Sequence, residues 1–83
     1  MLDYRGMIWF DNDPHNSLGD SLKLVVPYYI NKYERVPKFC ILPESRDIGD
    51  EEMEALDEHG LELVYSRYLF GRHIFLAELR QKD

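Results

Sequence analysis

Apolar and polar positions along the chain follow the period of a strand first and the period of a helix afterwards. The continuous apolar run Met7-Ile8-Trp9-Phe10 stops at a turn signal, so it predicts a buried strand over residues 5–10, with Gly6 marking a flexible or closely packed start. Beyond the turn, apolar residues recur every three or four positions, as on one face of a helix: Leu18, Leu22, Val25, Val26, Tyr29 and Tyr33. A strand followed directly by an amphipathic helix supplies both layers of a core.

The first helix is predicted from residue 17 to about residue 34. Ser17-Leu18-Gly19-Asp20 matches a capping box with Asp in place of Glu, and Asp13-Pro14 offers a second start with proline at the first helical position. Pro27 removes one backbone hydrogen bond, at a cost of about 3 kcal/mol. Because the apolar stripe continues in register beyond Pro27, we predict one kinked helix with this proline on its solvent side.

The rest of the chain predicts three more strands and one more helix. Residues 38–42, 61–65 and 72–79 have the apolar patterns of strands, and residues 50–59 form a helix with acids in its first turn and Gly60 at its end. Residues 66–71 are short enough for a hairpin, so we expect the fourth strand to run antiparallel to the third. Residues 1–83 are thus predicted to form a single α/β domain, β-α-β-α-β-β, whose four-stranded mixed sheet has three parallel strands and an antiparallel last strand.

Two strand orders remain open at this point. With right-handed crossovers and strands added in one direction, both helices cover the same sheet face and leave the other face open. The order 2-1-3-4 instead places one helix on each face.

The aromatic content favours a partner chain. Six tyrosines, four phenylalanines and one tryptophan in 83 residues exceed what two helices on one sheet face can enclose. We therefore expect Ile74, Leu76 and the apolar residues of the first strand to need further burial. A homodimer, formed through the open sheet face or through the edge of the fourth strand, supplies it.

Charge narrows the classes of partner. The net charge is −6, and residues 44–62 hold nine acids against one base, so this segment carries −8 and the remainder +2. A solvated acidic helix is the simpler interpretation, and recruitment of a basic partner is the alternative. Binding to nucleic acid needs clustered Lys and Arg, so it is not expected.

Two further sequence features bear on location. No apolar run approaches the roughly 18 residues of a membrane helix, and the first residues lack the pattern of a signal peptide. The chain has a single cysteine, Cys40, which fits a reducing compartment. We therefore expect a cytoplasmic protein without membrane contact.

Polar residues follow the predicted parallel strands at the ends where α/β sheets bind ligands. The candidates for catalysis are Asp11, Asp13 and His15 after the first strand, Glu44 after the second and Arg67 after the third. Asp11, Asp13 and Glu44 could hold Mg²⁺ or Mn²⁺, which suits hydrolysis of a phosphoryl or nucleic-acid substrate. Acids, Asn and Ser in such loops also cap helices and form turns, which explains most of these residues without a site.

Three hypotheses of function follow from these residues. The preferred one is a non-enzymatic interaction module that self-associates, with no cofactor and no resident metal. The alternative is the divalent-metal hydrolase, and the third is a small-ligand sensor whose pocket is lined by Trp9 or Tyr65. Cys40 lies within an apolar strand and is more readily a small buried side chain than a nucleophile.

Four motifs resemble those of a group of short bacterial proteins of unknown function. They are Trp9-Phe10-Asp11-Asn12-Asp13-Pro14, Tyr28-Tyr29-Ile30-Asn31-Lys32-Tyr33, Pro37-Lys38-Phe39-Cys40 and Ser66-Arg67-Tyr68-Leu69. The resemblance covers most of the chain, supports the fold, makes His73 the histidine of the last strand and implies no activity. Members of the group often carry Gly after the Lys-Tyr pair, where this chain has Glu34, so we expect its helix to end differently.

Overall fold

A computed structural model of the chain describes residues 4–11, 13 and 15–79. The elements are β1 (Tyr4–Phe10), α1 (Leu18–Tyr33), β2 (Phe39–Pro43), α2 (Asp50–Glu58), β3 (Glu62–Ser66) and β4 (His73–Leu79). Their order confirms the predicted β-α-β-α-β-β succession. Asn12, Pro14 and the polar tail at 80–83 lie outside the described residues, as does the second helix start predicted at Pro14.

The four strands form one mixed sheet in the order β1-β4-β2-β3. β4 pairs antiparallel with both β1 and β2, and β2 with β3 is the one parallel pair. Three predictions are therefore wrong: three parallel strands do not lie side by side, β4 does not form a hairpin with β3, and neither expected strand order is adopted. The connection after β3 instead passes the end of β2, so that the apolar β4 gains a hydrogen-bonded neighbour along each edge.

Both helices cover the same face of this sheet. The core between the two layers is formed by Leu18, Leu22, Val25, Val26, Tyr29, Cys40, Leu42, Leu56, Leu61, Ile74 and Leu76. Because strand side chains alternate between faces, the intervening strand residues lie on the opposite side, which neither helix covers. We call this side the open face.

Two expectations about burial change as a result. Ile74 and Leu76 are fully buried beneath the helices, so the prediction that they need a partner is wrong. The edge of the fourth strand is likewise not available to a second chain, because β4 lies inside the sheet.

The first helix forms as its local sequence predicts. Asp20 N donates to Ser17 Oγ at 3.1 Å and Ser17 N donates to Asp20 Oδ2 at 3.2 Å, which confirms the capping box. The helix is continuous through Pro27, whose side chain is exposed, as expected.

β1 and β4 approach each other closely at Gly6, which lies opposite Ala77. A Cβ atom at Gly6 would overlap the carbonyl oxygen of Leu76 and lie 2.7 Å from the Cα of Ala77. Of the two alternatives predicted at Gly6, a flexible or a closely packed start, the structure shows close packing, and only glycine fits there without displacing the strands.

α1 ends at Glu34 in a left-handed conformation, with φ 56° and ψ 33°. The Glu34 N–H donates to the carbonyl of Ile30 at 2.8 Å, so the cap is hydrogen bonded although its residue is not glycine. In the left-handed region, a residue with a Cβ atom lowers the stability of the fold by roughly 1–2 kcal/mol through steric strain. Glycine has no Cβ atom and does not carry this strain.

We expect Glu34→Gly to raise the free energy of unfolding by about 0.5–1 kcal/mol, since relief of the strain outweighs the added freedom of the unfolded chain. Lys32→Gly, in the exposed last turn of α1, is the matched control and should lower it by about 1 kcal/mol. Urea denaturation measures both, and a loss of stability with Glu34→Gly would contradict the strained cap.

Candidate functional site

Asp11 directly follows β1 and is 3% exposed, although it carries a charge. Its Oδ1 accepts hydrogen bonds from Asp13 N at 3.1 Å and from Asn16 Nδ2 at 3.3 Å. Its Oδ2 accepts from Ser21 Oγ at 2.6 Å and from Arg72 Nη2 at 3.1 Å. Each carboxylate oxygen thus has two donors, as a buried charge requires.

Arg72 directly precedes β4 and holds the same loop from the opposite side. Its Nε donates to the carbonyl of Asp11 at 2.9 Å. Its Nη2 lies 2.8 Å from the carbonyl of Asp13 and 3.2 Å from that of Asn16. The Asp11 N–H donates in return to the Arg72 carbonyl at 3.2 Å. We call Asp11, Asn16, Ser21 and Arg72 the loop clamp.

The clamp keeps Asp11 ionised. Burial raises the pKa of Asp11, but hydrogen bonds from Ser21, the Asp13 amide, Arg72 and Asn16 outweigh it and hold the pKa below the ordinary value of 3.8. A carboxylate has about four lone-pair sites, and these four donors occupy them. Both oxygens of Asp11 are therefore engaged as acceptors of hydrogen bonds from the protein itself.

The other predicted site residues lie in three separate loops. Asp13 and His15 are exposed and share the loop of Asp11, where Asp13 Oδ1 accepts from His15 N at 2.9 Å in an Asx turn. Glu44 and Arg67 are exposed after β2 and β3, and no salt bridge among the described residues joins them to the Asp11 loop. Within residues 4–11, 13 and 15–79, no three His, Cys, Asp or Glu side chains are grouped to hold a metal ion.

Sequence reasoning missed three members of the clamp, because only Asp11 was among the predicted site residues. Asn16 lies in the same loop, five positions after Asp11. Ser21 is 1% exposed in the second turn of α1, and its signal was a hydroxyl beside Leu22 on the apolar face of an amphipathic helix. Arg72 carries no such signal, because its partner Asp11 lies 61 positions away in the chain.

The aromatic residues expected to line a ligand pocket lie apart from each other. Trp9 packs against the core, with its ring 6.4 Å from that of Tyr28, and Tyr65 is exposed on β3. The open face of the sheet carries a groove over Ile8, Ile41 and Phe75, and neither Trp9 nor Tyr65 lines it. The sensor hypothesis therefore gains no support from this groove.

The open face is aromatic and aliphatic. One row, Ile8-Phe75-Ile41-Val64, is in register across all four strands. On either side of this row, Phe10 and His73 have ring centroids 5.0 Å apart and Tyr4 meets Phe39 edge-on at 5.3 Å. Among the strand residues that alternation places on this face, Glu62 alone is an acid and none is Lys or Arg.

A groove of about 390 Å³ crosses the open face, lined by Tyr4, Ile8, Ile41, Ser66, Tyr68, Leu69 and Phe75. Ile8 and Phe10 are each 56% exposed beside it. Two residues of the connection between β3 and β4, Tyr68 and Leu69, line the groove, and Tyr68 is 80% exposed. Phe70, the next residue of the connection, is 74% exposed. The largest exposed aromatic surfaces of the described chain therefore lie at or beside this groove.

Together these observations define a small α/β domain with a four-stranded mixed sheet, two helices on one face and an apolar opposite face. No protein-family model, curated protein or solved structure matches the chain. The resemblance to short bacterial proteins stays a prediction. None of the described helices is long and apolar enough to cross a membrane.

Cys40 is fully buried in β2, as predicted, and burial raises the pKa of its thiol to about 12. We expect it to react with a disulfide reagent at pH 8 more than about a hundredfold slower in the folded chain than in guanidinium chloride, because the thiolate is the reactive form. Absorbance of the released thiol follows both rates, and equal rates would contradict this burial.

Asp11→Asn tests the loop clamp through its pH dependence. At neutral pH we expect a loss of about 2 kcal/mol, since a charged acceptor is replaced by a neutral one. The lowered pKa of Asp11 means that its contribution is complete above the ordinary value of 3.8 and is lost as pH falls below it. The difference between wild type and Asp11→Asn should therefore shrink toward pH 3.

The control is Asp57→Asn, which removes an exposed acid from α2 and should change stability by no more than about 0.5 kcal/mol at neutral pH. Urea denaturation at a series of pH values measures all three proteins. A difference between wild type and Asp11→Asn that stays constant with pH would argue against an ionised, clamp-bound Asp11.

Proposed function

We propose that the chain is a non-enzymatic α/β interaction module that self-associates as a homodimer through the open face of its sheet. The observation that carries this proposal is the apolar row across all four strands, which neither helix covers. Ile8 at the edge of the row is 56% exposed, Val64 and Phe75 are half-buried, and Ile41 within the row is 6% exposed. Apolar surface gains roughly 25 cal/mol per Å² when it leaves water. Contiguous apolar patches of several hundred Å² mark interaction sites in soluble proteins.

The size of the open face suits a dimer. Four strands about 4.8 Å apart, with roughly 20 Å of length each, span a face of about 400 Å² in projection. Two such faces with interdigitating side chains bury on the order of 1,000 Å² or more in total, which reaches the range of specific interfaces.

The distribution of charge supports a second copy as the partner. Among the strand residues of the open face there is a single acid, Glu62, and no Lys or Arg, so the face offers little to select an acidic or a strongly basic protein. Packing two open faces together leaves the acidic α2 of each copy in the outer layer. These helices are then separated by about three layer spacings of roughly 10 Å, well beyond the Debye length of about 8 Å in physiological salt.

The loop clamp supports the non-enzymatic part of the proposal. A shifted pKa often marks a catalytic carboxylate, but structural ion pairs produce it as well. The donors around Asp11 are all supplied by the loop, α1 and Arg72, which accounts for the shift without a substrate.

We further infer a location in the bacterial cytoplasm. The free, buried thiol of Cys40 is compatible with a reducing compartment. The inference of a bacterial source rests only on the resemblance of the four motifs to those of short bacterial proteins.

Sedimentation velocity across about 1–100 µM tests self-association. We expect wild type to sediment with twice the monomer mass at tens of micromolar and Ile8→Thr/Phe10→Thr to shift toward monomer, since threonine keeps the strand preference but removes apolar area. Leu24→Gln is the matched control, because Leu24 is 64% exposed on α1 in the other layer and its loss should leave the dimer intact. A monomeric wild type at these concentrations would sink the proposal.

A further inference from the structure

We propose that the homodimer is isologous, with a ridge of each copy seated in the groove of the other. This inference rests on the proposed self-association. The ridge is Tyr68, Leu69 and Phe70 in the connection between β3 and β4, and the floor of the groove is Tyr4, Ile8, Ile41 and Phe75.

The ridge prevents two open faces from packing flat. Tyr68 and Leu69 form a wall of the groove, and most of the surface of Tyr68 (80%) and of Phe70 (74%) is exposed and free to contact a partner. Sheets in contact pack about 10 Å apart with interdigitated side chains. A ridge on part of the face holds the two sheets farther apart unless a depression receives it.

The groove is such a depression. Its volume of about 390 Å³ falls in the range of roughly 300–1,000 Å³ found for pockets that enclose ligand-sized groups, so it has room for an aromatic side chain. Its floor is aliphatic and aromatic, which matches the Tyr and Phe of the ridge.

Twofold symmetry makes the fit reciprocal. Ridge and groove lie side by side on one face, so a twofold axis between them, parallel to the interface, places each ridge over the groove of the other copy. In an isologous contact the same patch is used on both chains, and the assembly closes at two. The same geometry satisfies both ridges at once and leaves no second groove to extend the assembly.

The ridge is held in shape before it binds. Tyr68 N donates to Ser66 Oγ at 3.1 Å, and His73 N donates to the carbonyl of Phe70 at 3.2 Å. Gly71 closes the connection with φ 56°, a conformation that glycine adopts without strain. A preformed ridge loses less conformational freedom on association than a flexible loop, and buried Tyr and Phe are suited to anchor such contacts.

Cross-linking between two single-site variants tests the contact. One chain carries Phe70→Cys and a size-tagged chain carries Ile8→Cys, and a short bismaleimide is added to the mixture where wild type is dimeric. Cys40 is fully buried and stays out of the reaction. We expect the mixed product to exceed, by at least about tenfold, the product obtained when Leu24→Cys on α1 replaces Ile8→Cys.

A second measurement does not depend on the cysteines. Phe70→Ala should raise the dimer dissociation constant at least about tenfold, as for an anchor at an interface, and Tyr28→Ala on α1 should leave it unchanged. Circular dichroism confirms that both variants are folded.

The outcomes separate the two proposals. A monomeric wild type overturns both self-association and the seated ridge. A wild-type dimer that tolerates Phe70→Ala, or that cross-links equally through Ile8→Cys and Leu24→Cys, overturns the seated ridge and leaves self-association standing.

Discussion

The ion pair between Arg72 and Asp11, 3.1 Å apart, joins three parts of the chain that the fold must bring together. Asp11 ends β1, its loop leads into α1, and Arg72 starts β4. With this pair formed, Phe10 lies opposite His73, and the register continues along both strands to Tyr4 and Leu79. The same register places Ile8 beside Phe75, so the apolar row of the open face and the polar contact at the end of the sheet share one strand pairing.

The Asp11 loop and the open face differ in how completely their groups are satisfied. In the loop, a buried charge is surrounded by donors, which is the condition under which burial of an ion is tolerated. On the open face, apolar side chains such as Ile8 and Phe10 stay in water although the core lies one layer away. The polar groups of the loop are therefore satisfied within the chain, whereas apolar side chains of the sheet remain exposed.

The cap of α1 shows how a local rule can be broken at small cost. The left-handed position after Tyr33 favours glycine, yet Glu34 adopts it. The helix ends at this point because the positive φ of Glu34 turns the chain out of the helix, while the N–H of Glu34 still makes the last helical bond to the carbonyl of Ile30. The strain of roughly 1–2 kcal/mol is small enough for the packing of α1 against the sheet to offset.

The elements, the capping box of α1 and the buried Cys40 follow from the residues alone, because each depends on periodicity or on neighbours within a few positions. The sequence left Gly6 open between a flexible and a closely packed start, because its contacts come from Leu76 and Ala77 on β4. The order of the strands could not be predicted from the sequence. The backbone donors and acceptors along a strand edge are the same in every strand, so they do not specify which strand pairs with which. The role of Asp11 was hidden for a related reason. A carboxylate after a strand can bind a metal ion, cap a helix or pair with an arginine. Asp11 pairs with Arg72, 61 positions away, because β4 lies between β1 and β2 in the sheet.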